Sequence, residues 1–240
     1  MVVNGEFVRS ESGRTFEHGG QQVPLASRKD VRDAVKSARQ AQPGWASRSG
    51  YNRGQILYRF AEMVEGRLDG AVSDRLVHYA GWCDKAAQIL GAVNPVAGPY
   101  FSFSFPEPVG VVGVVAPGPG VLPLATVVAA ALAGGNAVVA LASDPLVGLE
   151  FAESSVTSDL PPGVLNVLTG ETGAVASHLA AHRDVDCLAA LAPAQPYSEA
   201  CSDNLKRLVE LPVEGWEERD GIGWIETFVE IKTVWHPVGA

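Results

Sequence analysis

The chain has 240 residues, 47% of them apolar, enough to bury a substantial core as one main body. Its 27 acidic and 18 basic residues give a net charge of −9 with no Lys/Arg cluster to interrupt it, which argues against nucleic acid as a partner. Cys83, Cys187 and Cys201 form neither a C-x-x-C pair nor a closed disulfide framework, charged or turn residues break every apolar stretch before bilayer length, and the first residues lack a signal peptide's pattern, so a cytoplasmic protein without membrane contact is expected.

Residues 2–26 alternate short apolar pieces with turns at Gly5, Gly13 and Gly19-Gly20, the pattern of a hairpin-like strap. Ser27 stands three residues before Asp30 as in a capping box, and Val31, Val35 and Ala38 recur at helical spacing; this predicts a helix over 28–41 ended by Pro43-Gly44. Its basic residues, Arg28, Lys29, Arg32, Lys36 and Arg39, are interspersed with Asp30 and Asp33 and read as a solvated face. A second helix over 50–66 carries Ile56, Leu57, Phe60, Ala61 and Val64 on one face and requires a partner surface. A third spans 68–91 with Leu76, Tyr79, Ala80 and Trp82.

Over 95–106 the period changes: Phe101, Phe103 and Phe105 alternate with Ser102 and Ser104, so aromatic rings line one face of a strand that needs a cover. Apolar runs at 109–116, 137–141, 164–168 and 185–191 alternate with helix-length segments, as buried parallel strands joined by right-handed crossovers do. The expected fold is α/β, a doubly wound Rossmann-like parallel sheet with helices on both faces. A polar helix over 196–211 and a charged loop over 214–223 lead to a last strand. In it Ile225, Thr227, Val229, Ile231, Thr233 and Trp235 face one way, and Glu226, Glu230 and Lys232 mainly the other.

Several short constellations were weighed for chemistry. Gly118-Pro-Gly-Val-Leu-Pro123 follows a strand and precedes a helix, yet it fails a dinucleotide fingerprint at the third glycine, and Pro119 and Pro123 remove amides that would face phosphate; a tight turn is expected. Thr169-Gly-Glu-Thr-Gly173 offers amides, but Glu171 would repel an anion there. His178 and His182 lie four apart on a helix without the glutamate of an H-E-x-x-H arrangement, so no metal site is expected, and His182 near the helix end suits the dipole when partly protonated.

Pro108-Val-Gly-Val-Val-Gly-Val-Val-Ala-Pro117, Leu160-Pro-Pro-Gly-Val-Leu-Asn-Val-Leu-Thr-Gly170 and Thr227-Phe-Val-Glu-Ile-Lys-Thr-Val-Trp235 resemble, in order, a nucleotide-domain strand, a later helix-to-strand junction and the C-terminal association strand of aldehyde dehydrogenases. Val3-Asn-Gly-Glu-Phe-Val8, Asp30-Val-Arg-Asp-Ala-Val35 and Tyr79-Ala-Gly-Trp-Cys-Asp-Lys85 are similar to that family's N-terminal landmarks. Only about thirty residues separate Pro193 from the tail strand, too few for a catalytic domain. The arrangement resembles the truncated second domain of the two-domain aldehyde dehydrogenase family 16.

The resemblance implies positions that can be checked one at a time. Where active members have a Trp-Asn pair whose Asn donates to an oxyanion, this chain has Gly118 and Pro119, and no Asn occurs between 117 and 135. Loss of one such donor is worth roughly 3 kcal/mol of transition-state stabilisation. Where members hold a ribose with a Lys-Pro-Ser-Glu-like turn, this chain has Leu141-Ala142-Ser143-Asp144, which keeps Asp144 as a vestigial cofactor contact without the ammonium. A Phe-Thr-Gly-Ser-like turn near the pyrophosphate becomes Ala190-Leu191-Ala192-Pro193. The family's nucleophile and general base fall in the missing segment, and Cys201, on a helix with no histidine nearby, reads as a packed thiol.

The expectation is a catalytically inactive domain with no catalytic residue, no bound cofactor and no metal, divided into a degenerate nucleotide-domain fold (1–193), a helix and linker (194–224) and a C-terminal oligomerisation strand (225–240). Phe101, Phe103 and Phe105, with Ile225, Thr227, Val229, Ile231, Thr233 and Trp235, would form the interface with a second copy, as a homodimer, or with an active aldehyde dehydrogenase domain. The competing expectation is a regulatory module that binds NAD(H) without turnover, resting on Asp144 and the surviving sheet.

Overall fold

The computed structural model describes residues 1–115, 117–218 and 220–239. The strap forms two hairpins, β1 (Val2–Val3) with β2 (Glu6–Phe7) and β3 (Thr15–His18) with β4 (Gln21–Pro24). Then follow α1 (Arg28–Ala46), α2 (Gly50–Val64), α3 (Gly70–Trp82), α4 (Ala86–Leu90), β5 (Ala92–Asn94), β6 (Tyr100–Pro108), β7 (Val111–Val115), α5 (Leu122–Ala133), β8 (Ala137–Leu141) and α6 (Pro145–Val156). The chain continues through β9 (Leu165–Leu168), α7 (Thr172–Ala181), β10 (Cys187–Leu191), α8 (Ser198–Ser202), β11 (Arg207–Leu211), α9 (Gly223–Thr227) and β12 (Val229–Pro237).

The main sheet has seven strands in the order β11-β10-β7-β8-β9-β1-β2. The five central and C-terminal strands are parallel, and the strap's β1 adds antiparallel to β9. Alternate residues divide between two cores. Val112, Val114, Val138, Ala140 and Val167 face the layer containing α5, α2, α3 and α6; Val111, Val139, Leu141 and Leu188 face α1 and α7. This is the doubly wound α/β body that the apolar runs predict. Helix α5 lies between the sheet and the outer α2/α3 pair. Its alanines and valines are buried all round, because a helix with neighbours on both sides has no polar face to keep.

Helix α1 begins as the capping box requires: Ser27 Oγ accepts from the Lys29 and Asp30 amides, while Asp30 Oδ2 accepts from the Ser27 N–H at 2.8 Å. Its end corrects the sequence reading. Pro43 lies inside the helix, which runs to Ala46, and the buried Trp45 indole donates to the Leu132 carbonyl at 2.9 Å. Burial of that ring and its hydrogen bond offset the amide that proline removes.

Four further boundaries differ from expectation. The helix over 68–91 is two, α3 and α4, separated by a turn at Cys83–Lys85. The aromatic strand runs later than 95–106, at Tyr100–Pro108. The polar helix over 196–211 is the short α8 followed by β11, an edge strand whose pairing on β10 outweighs a pattern with little alternation. The last strand starts at Val229; Ile225 and Thr227 stand on α9, where the Ile225 side chain is buried in the core. Ala116, at the end of the run 109–116, and Ala240, at the end of the segment 225–240, lie outside the described residues.

Candidate functional site

In a doubly wound sheet the ligand crevice opens at the carboxyl ends of the parallel strands. Here those ends are β7 into the Gly118 turn, β8 into Asp144, β9 into Gly170 and β10 into Pro193. Gly118 has φ +150°, and a Cβ there would lie 3.1 Å from Pro123 and 3.2 Å from Trp216 Nε1, so the turn admits only glycine. Trp216 comes from the loop after β11 and is buried; its ring stacks on Trp224 with centroids 5.5 Å apart. The buried Arg75 guanidinium holds this loop, donating to Thr126 Oγ1 at 2.9 Å and to the Trp216 and Glu217 carbonyls at 3.0 Å each. The end of β7 is therefore filled by an indole of this chain. No local signal in the sequence couples Arg75 to Trp216, and the contact went unread there.

Asp144 is the N-cap of α6: its Oδ1 accepts from the Leu146 amide at 2.9 Å and lies 3.4 Å from His18 Nε2 on the β3/β4 hairpin. Asp144, the ribose contact that the resemblance implies, is thus engaged by a helix and by the strap, while Leu141 is packed in the core. At β9 the strap crosses directly, the Ala26 N–H donating to the Thr169 carbonyl and Thr169 Oγ1 to the Pro24 carbonyl. A Cβ on Gly170, which has φ +153°, would stand 3.2 Å from the Ala26 nitrogen. Beyond β10, the Glu210 carboxylate accepts from the Ala194 amide at 2.9 Å.

All three cysteines are free and buried. Burial pushes the Cys83 and Cys187 thiols up to about 12, and Cys201 is also raised by burial, which Lys206 only partly opposes. A thiol held protonated is a poor nucleophile, in keeping with Cys201 as a packed side chain. His182 caps the end of α7; burial lowers its pKa, although Asp184 opposes this, and its Nδ1 accepts the Asp184 N–H at 3.2 Å, so it favours positive charge at the helix end less than its position alone suggests. Among the described residues no three His, Cys, Asp or Glu side chains come together in a metal-binding group, and no helix is long and apolar enough to cross a membrane.

Of the residues expected to form an interface, all but Ile225 and Thr227 lie on a separate three-stranded antiparallel sheet in the order β12-β6-β5. Register decides its faces. Phe103 opposes Val234 and Val93, and Phe105 opposes Lys232, so Phe101, Phe103 and Phe105 share one face with Val93 and Val234. The three rings run in a row, with centroids 5.4 and 6.0 Å apart. Val229, Ile231, Thr233 and Trp235 point from the opposite face, where Trp235 meets Tyr100 edge-on and Asn94, Ser104 and Thr233 form a hydrogen-bonded ladder. The expected single interface set is therefore split over two faces and loses Ile225 and Thr227 to α9. Phe101, Ile231 and Trp235 are 46%, 48% and 60% exposed.

The sequence profile of the Aldehyde dehydrogenase family matches residues 17–73 and 70–208. The chain belongs to the aldehyde dehydrogenase family. It is 33% identical over 223 residues to cytosolic 10-formyltetrahydrofolate dehydrogenase of Xenopus tropicalis, a match covering 77% of this chain and 24% of that protein. It is 34% identical over 223 residues to aldehyde dehydrogenase family 2 member B4, mitochondrial, of Arabidopsis thaliana, covering 79% of this chain and 41% of the relative. Among solved structures, an NAD-dependent aldehyde dehydrogenase from Sinorhizobium meliloti superposes with TM-score 0.79 at 26% identity, over 88% of this chain and 49% of that one. The chain thus spans about half or less of the length of these proteins.

Proposed function

We propose that this chain is a non-catalytic aldehyde dehydrogenase domain whose work is assembly, with a second copy or with an active aldehyde dehydrogenase domain, through the β5–β6–β12 sheet. The carrying observation is that sheet: a row of phenylalanines on one face, Phe101 exposed and Phe103 and Phe105 half-buried, and the exposed Ile231 and Trp235 on the other. Exposed contiguous apolar surface of this kind marks an association site, and the free edge of β12 offers backbone groups for a partner strand. The C-terminal edge of the main sheet supports the non-catalytic half of the reading. Gly118 and Pro119 offer no side-chain donor, Trp216 fills the end of β7, and Asp144 is engaged as a cap. A cofactor-free state and a cytoplasmic location belong to the same reading, the latter supported by relatives whose names read cytosolic.

The test is assembled mass by light scattering. Trp235→Ser with Ile231→Lys on one face, and Phe101→Ser with Phe103→Ser on the other, change exposed or half-buried residues and leave the main core intact. The mass of the wild-type chain should exceed that of one chain, and at least one pair should reduce it; a wild-type mass of one chain, both alone and mixed with an active aldehyde dehydrogenase, contradicts the reading.

A further inference from the structure

The first turns of α1, whose basic residues read as a solvated face, and the end of α7 line a groove of about 740 Å³. Arg28, Lys29 and Arg32 line it from α1; His178, His182 and Arg183 line it from α7 and the turn after it. Val31 and Ala181 supply an apolar lining between them. Sequence spacing groups each set separately, and the two meet only through the packing of α7 beside α1 on the same face of the sheet.

Charge accounting within the groove is informative. Glu11 also lines the groove, as its one carboxylate, and pairs with Lys29 at 3.3 Å; Arg32 pairs with Asp33 at 2.8 Å. Asp30 is directed away, into the cap and Ser10. Asp184, next to Arg183, directs its charge at His182, whose ring also accepts its backbone N–H. The Arg28 and Arg183 side chains have neither an ion pair nor a hydrogen bond among the described residues, and both are exposed. In a chain of net charge −9, two unpaired guanidinium groups from different elements therefore face one concavity. The α1 amides do not create this site, since those of Lys29 and Asp30 already go to Ser27 Oγ. The side chains do: planar guanidinium forks match phosphate oxygens in bidentate fashion, and the volume lies in the range of small-molecule sites.

We propose that this groove binds a small diphosphate-bearing anion, with Arg28 and Arg183 gripping its oxygens from either side and His178 adjacent. The site is separate from the carboxyl edge of the sheet and independent of the assembly reading. Free pyrophosphate and a nucleoside diphosphate share the recognised chemistry, and Val31 with Ala181 would favour the latter.

The experiment follows the His178 imidazole resonances by NMR, assigned through their loss in His178→Gln, while the full chain is titrated with inorganic pyrophosphate or ADP at constant ionic strength. Saturable movement with Kd below about 1 mM is expected for at least one of the two, His236 remaining still. The weaker or absent response of pyrophosphate relative to ADP would assign the nucleotide as source. Arg28→Ala with Arg183→Ala should weaken binding by about tenfold or more, and Arg28→Lys with Arg183→Lys should restore part of it, a rescue that a folding defect would not show. Movement linear in concentration for both probes, or equal affinity in the alanine pair, overturns the proposal.

Discussion

At the scale of single residues, Asp30 shows how much a short pattern can carry. The Ser27–Asp30 spacing is legible in the sequence, and the structure adds that Asp30 also accepts from Ser10 Oγ at 2.7 Å and from the Glu11 amide, tying the strap to the helix. Burial raises its pKa, but the hydrogen bonds from Ser27, Ser10 and Glu11 outweigh that and hold it below its ordinary value of 3.8. A carboxylate with a depressed folded pKa stabilises the fold above its unfolded pKa, and that stability is lost as pH falls through the folded value. Asp30→Asn should therefore cost about 1 kcal/mol near neutral pH, in the range of cap losses, with the difference from wild type shrinking below 3.8 in urea melts taken across pH. The Arg75 network had no comparable signal, because an arginine on an amphipathic helix reads as exposed. Arg75→Met strips donors from a buried and a partly buried carbonyl and from Thr126 Oγ1, and should cost about 2–4 kcal/mol by denaturant unfolding.

At the scale of elements, legibility follows burial. The runs 137–141 and 164–168 lie in the sheet within one residue of expectation because a strand covered on both faces has one way to be apolar. The edge strand β11 was missed for the converse reason: with one neighbour and half-buried residues, Arg207–Leu211 carries no strong period. The alternation from Ile225 to Trp235 continues through a helix and a strand without a break, so period alone could not find where α9 ends and β12 starts. Its pairing with β6, by contrast, extends over nine residue pairs from Val229↔Pro108 to Pro237↔Tyr100. That pairing within the chain leaves one β12 edge for a partner. Because the candidate residues stand on opposite faces, the two double variants should separate: if association uses β12 and the Trp235 face, only that pair lowers the mass in light scattering, and the phenylalanine pair leaves it unchanged.

At the scale of the whole molecule, the chain keeps the sheet and helices of its family's fold, while its own groups engage the carboxyl ends of the parallel strands. The parallel sheet and its two cores were readable from composition and period, and so were the substitutions at Gly118, Leu141 and Pro193. What packs at the strand ends was not: Trp216 and His18 reach the edge from segments distant in sequence, through contacts that only the fold creates. The measurement that tests this account most directly is a calorimetric titration of the chain with NAD⁺ and NADH, supported by thermal denaturation in their presence. The account predicts no saturable heat and no thermal shift, or binding weaker than about 1 mM, which corresponds to only about 4 kcal/mol. Micromolar binding would contradict it, and would make cofactor sensing, with Asp144 released from His18, the function of the edge.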